Sequence, residues 1–200
     1  MPSHIVVLRH GHTTWASGGR WTSFTDVDLD TDGEAAAAAW APTFSGVDLV
    51  AFCSPLLRTR RTAALAGLSA EIREDLVEWN LGELEGLNSE RYRLEHPHWE
   101  LFAAGAPGGE SPTAVETRVG RLLDGLGSDH SDVVVLVTHG QIAKVIAAHL
   151  LQVPLRTGEH FGLGPARAAV FSWRGSLGGY QLSGWNRTPT PLDQLLNGNH

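Results

Sequence analysis

The sequence predicts an α/β fold, in which a mostly parallel sheet carries helices on both faces as a three-layer sandwich. Three short apolar runs indicate buried strands: IVVL at 5–8, LVAFC at 49–53 and VVVLV at 133–137. Continuous apolar strands are typical of sheets that are covered on both faces. The 200 residues are enough to bury such a core.

Helical signals stand between these strands. TDGEAAAAAW, from residue 31, predicts one helix, and the Ser-Pro pairs at 54–55 and 111–112 each predict a helix start, with Ser as N-cap and Pro in the first position. A further helix is expected over about 141–151. AAVFSW and YQLSGW, near the end of the chain, predict two antiparallel strands joined by a short turn.

The sequence is expected to form one domain over residues 1–200, with two distinctive segments. Residues 85–112 are polar and aromatic and contain several Gly and Pro, so we expect a cap-like insertion over a site. Residues 188–200 are rich in Pro and Asn. This tail is expected either to be loose or to lie on a partner subunit, which would make the protein a homodimer.

Composition narrows the classes of function. The formal net charge of −7 argues against a surface for nucleic acid or anionic membrane. With one cysteine, Cys53, the chain has neither an internal disulfide nor a CxxC site. We see no signal-peptide pattern, and no apolar run approaches the roughly 18 residues that cross a bilayer. A soluble cytoplasmic protein is therefore expected.

Basic side chains stand directly after two of the predicted strands. Arg9 and His10 follow the first strand, and His139 follows VVVLV. A glycine follows each histidine and is expected to allow a tight turn and the close approach of a ligand. The carboxyl ends of parallel strands meet at one edge of a sheet, where the ligands of open α/β folds gather. Gly140 also begins a predicted helix, whose free N–H groups favour an anion. The sequence therefore predicts a ligand site that joins His10 and His139.

A third strand end adds another guanidinium group. LVAFC leads into SPLLRTRRTA, which places Arg58 in the first turns of its helix, near the same edge. Two guanidinium groups suit the oxygens of a phosphate or a carboxylate. A tetrahedral phosphoryl group can accept hydrogen bonds from several such donors at once.

Other interpretations of these residues stay open. A histidine at a strand end is often structural, and an arginine in the first turns of a helix is often a solvated surface residue. Matched chemistry at three strand ends favours a site over both. His10 and His12 also have the HxH spacing of some metal sites, but two arginines beside them would repel a cation. We therefore expect no metal.

The motifs resemble those of a known family. LRHGHTTW resembles the RHG signature of the histidine phosphatase superfamily, which also contains the cofactor-dependent phosphoglycerate mutases. SPLLRTRRTA, VEWNLGELEGL, GGES and VTHG follow in the family's order, so the resemblance covers about residues 4–185. It is stronger to the short bacterial phosphatases than to the longer mutases, and it implies a phosphoglycerate-mutase-like fold.

The resemblance also implies individual roles. His10 would be the phosphorylated nucleophile, and Arg9, Arg58 and His139 would hold the phosphoryl oxygens, with Gly140 beside them. The expected activity is that of a phosphomonoesterase that hydrolyses a small phosphorylated metabolite through a phosphohistidine intermediate. No metal or other cofactor is expected, because the protein itself supplies the positive charge.

The proton donor is less directly marked. On chemistry alone, Glu78, Glu83 and Glu85 in VEWNLGELEG could each take this role. The resemblance implies Glu78, which stands at the family's acid position ahead of the Gly-x-x-Glu-Gly stretch.

The sequence departs from the mutase pattern. His12 stands where mutases carry Glu, Ala16 stands where many members have Asn, and Thr22-Ser23 replaces a Ser-Gly pair that holds substrate. We expect Thr22 and Ser23 to contact the substrate. A phosphoglycerate-type mutase is the alternative within this chemistry, and a non-catalytic phosphate-binding module is the alternative outside it.

Overall fold

The computed structural model describes residues 1–128 and 131–197, and in this part of the chain one sheet has six strands. In chain order they are β1 (His4–Arg9), β2 (Val50–Cys53), β3 (Ala70–Ile72), β4 (Val133–Thr138), β5 (Ala168–Arg174) and β6 (Gly179–Arg187). Their order across the sheet is β3-β2-β4-β1-β5-β6. The first four pair in parallel, while β5 and β6 are antiparallel. The predicted α/β class is therefore confirmed, with a mixed sheet.

Helices cover both faces of this sheet. They are α1 (Thr14–Ser17), α2 (Thr31–Ala38), α3 (Ala41–Phe44), α4 (Leu57–Leu65), α5 (Ser89–Glu95), α6 (Leu101–Ala104), α7 (Pro112–Gly125), α8 (Gly140–Leu150) and α9 (Leu192–Asn197). Residues of α6, α7 and α8 share one apolar cluster, and residues of α3, α4 and α9 share the other. No helix within the described ranges is both long and apolar enough to span a membrane.

The alternation of β1 shows how the sheet separates two cores. Ile5 and Val7 pack into the cluster that holds α7 and α8, whereas Val6 and Leu8 pack into the cluster on the opposite face. All four side chains are at most 1% exposed. A strand buried on both faces carries apolar residues throughout, which is why residues 5–8 show no alternation of apolar and polar side chains.

One of the three helix starts differs from its prediction. α4 begins at Leu57 and not directly after Ser54, because the Ser54 hydroxyl bonds His139 at 2.8 Å and accepts only a long bond from Leu56 N (3.4 Å). α2 begins at Thr31 as predicted, and its N-cap is Asp30, whose side chain accepts a hydrogen bond from Gly33 N. The start of α7 is as predicted, since the Ser111 hydroxyl accepts from Ala114 N and Pro112 is the first helical residue.

The two segments that the sequence set apart are ordered against the rest of the chain. Residues 85–112 contain α5 and α6, and Phe102 packs edge-to-face on Trp79. Residues 192–197, within the tail expected to be loose or to lie on a partner subunit, form α9, and Leu195 is fully buried in the second cluster. A leucine buried against the sheet holds this part of the tail in place. The final three residues of that tail lie outside the described residues.

Candidate active site

The register of β1 and β4 brings the two predicted histidines together. Arg9 pairs with Thr138 in the parallel ladder, so His10 and His139 leave adjacent strands at the same edge. The amide of His10 donates to Thr138 O at 2.9 Å, and the two imidazole ring centres are 5.2 Å apart. The predicted meeting of these strand ends is therefore present in the structure.

His10 is held in one tautomer. Its Nδ1 lies 2.7 Å from Gly11 O, and a carbonyl oxygen only accepts, so Nδ1 carries the proton. Nε2 is then left with a free lone pair. Burial, reinforced by the charges of Arg9 and Arg58, holds the pKa of His10 well below its usual range. The imidazole is thus neutral and has the form of a nucleophile.

Arg58 and His139 form a second buried pair. Arg58 donates from Nε to His139 Nδ1 at 3.2 Å, so His139 carries its proton on Nε2 and donates it to the Ser54 hydroxyl. The guanidinium also donates to Thr25 O (3.0 Å) and Ser23 O (2.8 Å). Both side chains are fully buried, and burial followed by the charge of Arg58 holds the pKa of His139 well below its usual range.

Arg9 lies against the start of α8. Its Nη1 donates to Leu163 O at 2.6 Å, and its buried Nε has no hydrogen-bond partner among the described residues. A Cβ placed on Gly140 would lie 3.3 Å from Arg9 Cζ. The glycine was predicted to allow the close approach of a ligand; what approaches it in the structure is the guanidinium of Arg9.

Gly11, like Gly140, lies close to another part of the protein. A Cβ at Gly11 would lie 2.5 Å from Gly33 O, so this glycine lets the loop after β1 pack against the first turn of α2. The close neighbour is again protein, where the sequence suggested a ligand.

Glu78 occupies the N-terminus of α8. Its Oε1 accepts from Trp79 N (2.9 Å) and Ile142 N (3.2 Å), and its Oε2 accepts from Gln141 N (3.2 Å). From the sequence we expected the free N–H groups at the start of α8 to attract an anionic ligand. In the structure they bind the carboxyl group of Glu78 instead. Burial raises the pKa of Glu78, and it outweighs the backbone hydrogen bonds and the charges of Arg58 and Arg9, which lower it.

The other two acidic candidates are placed differently. Glu85 accepts hydrogen bonds from the amides of Ser23 (2.8 Å) and Thr25 (3.0 Å) and so fixes that loop. Glu83 is exposed. Neither lines the cavity described next, whereas Glu78 does.

A cavity of about 260 Å³ opens at this edge of the sheet. Five of the residues predicted for the site line it: Arg9, His10, Thr22, Glu78 and Gly140. Arg58 and His139 are buried beside His10 and do not form its wall.

Ser23 was predicted to contact the substrate, but it does not line the cavity. It is buried, its Oγ accepts from Leu81 N at 3.3 Å, and its carbonyl holds Arg58. Its role in the structure is to support Arg58.

Among the cavity residues that were not predicted for the site are two polar residues of α8. Gln141 and Lys144 both line the cavity from α8, one turn apart, and Gln141 Oε1 is buried with no partner among the described residues. Helical spacing could have indicated Lys144, which is four residues after Gly140, because residues three and four apart share one face. The other residues of the cavity wall come from several separate segments, so the sequence of α8 alone could not predict them.

His12 is turned toward Asp30 and not toward the cavity. Its Nδ1 pairs with Asp30 Oδ2, the same carboxyl group that caps α2. Within residues 1–128 and 131–197, no group of three His, Cys, Asp or Glu side chains is arranged to hold a metal ion.

Comparison with known proteins agrees with this geometry. The family model of the histidine phosphatase superfamily (branch 1) matches residues 5–188. The chain therefore belongs to this superfamily, as its motifs indicated, and its enzyme class is phosphatase.

Individual relatives carry phosphatase names. An acid phosphatase of Mycobacterium tuberculosis is 31% identical over 94% of this chain and 95% of its own length. A glucosyl-3-phosphoglycerate phosphatase of the same species is 32% identical over 79% of each chain. A solved structure of a Mycobacterium tuberculosis open reading frame superposes with a TM-score of 0.87 at 30% identity, covering 95% of this chain and all of its own.

Proposed function

We propose that the protein is a metal-independent phosphomonoesterase that hydrolyses a small phosphorylated metabolite through a phosphohistidine at His10. One observation carries the proposal: a neutral imidazole with a free Nε2 and a carboxyl group with a raised pKa line the same cavity, beside Arg9. A neutral imidazole suits nucleophilic attack, and a raised carboxyl pKa favours the protonated form that the leaving group requires. The cavity volume of about 260 Å³ supports a small substrate.

In the first half-reaction, His10 Nε2 attacks phosphorus in line and the P–N bond forms. The P–O ester bond breaks, and its electron pair stays on the leaving oxygen, which takes the proton from Glu78. Arg9, with its unpaired Nε–H, and Arg58 would stabilise the charge on the phosphoryl oxygens. His10 keeps its Nδ1–H bond to Gly11 O, which disperses the positive charge on the phosphorylated ring.

The second half-reaction returns the enzyme to its starting state. Glu78, now ionised, takes a proton from water as the oxygen of that water attacks phosphorus. The P–N bond breaks, its electron pair returns to His10 Nε2, and orthophosphate leaves. One carboxyl group thus serves as acid and then as base.

Two alternatives are weaker. A phosphoglycerate-type mutase would have to return the phosphoryl group to a bound acceptor, and the changes at His12, Ala16 and Ser23 weigh against this. In the structure His12 is engaged with Asp30, and Ser23 with Leu81. A module that only binds phosphate has no use for a buried carboxyl group with a raised pKa, such as that of Glu78.

The proposal is tested by release of inorganic phosphate from a panel of sugar, nucleotide and glycerate phosphates, in the presence of a chelator. We expect turnover with chelator and competitive inhibition by vanadate, which mimics the five-coordinate transition state. Strict dependence on a divalent metal, or efficient isomerisation of a phosphoglycerate with little phosphate release, would contradict the proposal.

A further inference from the structure

Lys144 is the only lysine in a sequence with 15 Lys and Arg residues. It lies on α8, one turn after Gly140, and lines the same cavity as His10 and Glu78. The proposed mechanism does not use it. A flexible ammonium group at this position can reach a ligand in the cavity.

The ammonium group has no counter-ion of its own. Lys144 makes no hydrogen bond or ion pair within the part of the chain that the structure describes; its Nζ lies 5.6 Å from the centre of the Phe102 ring. Glu159 acts on it electrostatically, but that carboxylate is paired with Arg93 at 3.9 Å. Burial lowers the pKa of Lys144, although Glu159 and Glu78 raise it. A partly buried cation of this kind is stabilised by an anionic partner.

Once a phosphoryl group is bound in the site, the positive charge of Lys144 is left without a negative charge to balance it. The guanidinium groups of Arg9 and Arg58 match the two negative charges of a phosphomonoester. Glu78, the acidic residue of the cavity wall, is in its neutral form when it serves as acid. Arg20 adds a further positive charge, from an exposed position beside Trp15.

We propose that Lys144 binds a second anionic group of the substrate, so that the enzyme prefers small phosphomonoesters carrying a carboxylate or a second phosphate. This inference rests on the proposed phosphatase function and defines its substrate class. The cavity volume of about 260 Å³ keeps the two anionic groups of such a molecule within a few bonds of each other.

Matched substrates test the role of Lys144. 3-Phosphoglycerate and glycerol 3-phosphate differ only in a carboxylate against a hydroxymethyl group. Propane-1,3-diol bisphosphate and 3-hydroxypropyl phosphate differ only in the second phosphate. In the unmodified enzyme, kcat/KM is expected to be higher for the doubly anionic member of at least one pair, and that pair identifies the second group.

Variants then show whether Lys144 is responsible for the preference between the two substrates of that pair. Lys144→Met should lower the ratio of kcat/KM within that pair by about 10- to 100-fold, the value of a charge-assisted hydrogen bond. Lys144→Arg should keep the ratio within about threefold, because it keeps the charge. Arg121→Met removes a positive charge from a side chain that is 69% exposed on α7, and it should leave the ratio unchanged. An unchanged ratio in Lys144→Met would overturn the proposal.

A binding measurement separates this proposal from the proposed function. Reductive ¹³C-methylation labels the lysine and the terminal amine, and the signal missing from the Lys144→Arg protein belongs to Lys144. We expect 3-phosphoglycerate or the bisphosphate to shift this signal more than its singly anionic partner does. Equal shifts from both members of each pair would contradict the role of Lys144, even in a protein that hydrolyses phosphomonoesters. Failure to hydrolyse any phosphomonoester, p-nitrophenyl phosphate included, would refute the phosphatase function, while the shifts would still decide the role of Lys144.

Discussion

The carboxyl group of Glu78 accepts a hydrogen bond from the backbone amide of Gln141 at 3.2 Å. Its second oxygen accepts from Ile142 N and Trp79 N, so the proposed acid is held by the first turn of the helix that follows His139. Backbone donors keep the carboxyl group in place, and burial keeps its pKa raised. The raised pKa of Glu78 therefore results from its burial, which outweighs the lowering effect of its backbone donors and of Arg58 and Arg9.

Replacing this acid should separate substrates by their leaving groups. Glu78→Gln should lower kcat/KM for an alkyl phosphate such as glycerol 3-phosphate by about 10²–10⁴-fold, because an alkoxide leaves poorly without a proton. For p-nitrophenyl phosphate the loss should be about tenfold or less, since nitrophenolate needs little protonation. Steady-state kinetics with both substrates measure the difference.

Glu83→Gln is the matched control for this experiment. Glu83 belongs to the same segment but is exposed and does not line the cavity. Its variant should keep both activities within about twofold. Equal losses for the two substrates in Glu78→Gln would remove Glu78 from the acid role.

The pH dependence of kcat/KM should report the protonation of His10 and Glu78. The proposed mechanism requires neutral His10, present above its lowered pKa, and protonated Glu78, present below its raised pKa. For an alkyl phosphate, kcat/KM should therefore rise as the pH falls toward the pKa of Glu78, and decline again at lower pH where His10 becomes protonated. In Glu78→Gln the decline on the alkaline side should disappear, and its persistence would show that another group controls it.

Much of this site follows from elements that the sequence marks clearly. Apolar strands predict a covered sheet, and basic residues at their ends predict that His10 and His139 meet, as the register of β1 and β4 shows. The positions of Ser23 and Gln141 could not be predicted, because they depend on which backbone groups pack around Arg58 and Glu78. Such contacts join segments far apart in the chain, for example Arg58 with Ser23 and Glu78 with Ile142.

Local patterns also misplaced two features. The Ser-Pro pair at 54–55 has the form of a helix start, yet Ser54 is committed to His139 and α4 begins later. The composition of the tail suggested looseness, but the apolar side chain of Leu195 packs against the second core cluster. In both cases a tertiary contact outweighs a local preference.

The contact between Gly33 and the loop after β1 makes a prediction about stability. A Cβ at Gly33 would lie 2.2 Å from His12 O and 2.7 Å from His12 N, which are backbone atoms that cannot swing aside. Gly33→Ala should therefore lower the free energy of unfolding by about 1–3 kcal/mol, as overpacking does. Thermal or urea denaturation gives the value.

Gly125→Ala provides the control for the glycine experiment. At Gly125, near the end of α7, a Cβ would have no atom of another segment within 4 Å among the described residues. The substitution should be neutral or should stabilise the protein by up to about 1 kcal/mol, because alanine favours the helix. If Gly33→Ala were equally harmless, the close packing of α2 on the His12 backbone would be wrong.

Trapping the phosphorylated enzyme would show directly whether His10 is the nucleophile. Glu78→Gln protein is mixed with p-nitrophenyl phosphate and quenched in alkali, and its peptides are examined by mass spectrometry. Because this variant lacks the base that activates water, one phosphoryl group should remain on the peptide containing His10, and His10→Ala protein should carry none while losing at least about 10³-fold in turnover. His98→Ala, at an exposed histidine, should behave as the unsubstituted enzyme does. Full activity in folded His10→Ala, or a phosphoryl group on another residue, would contradict the phosphohistidine mechanism.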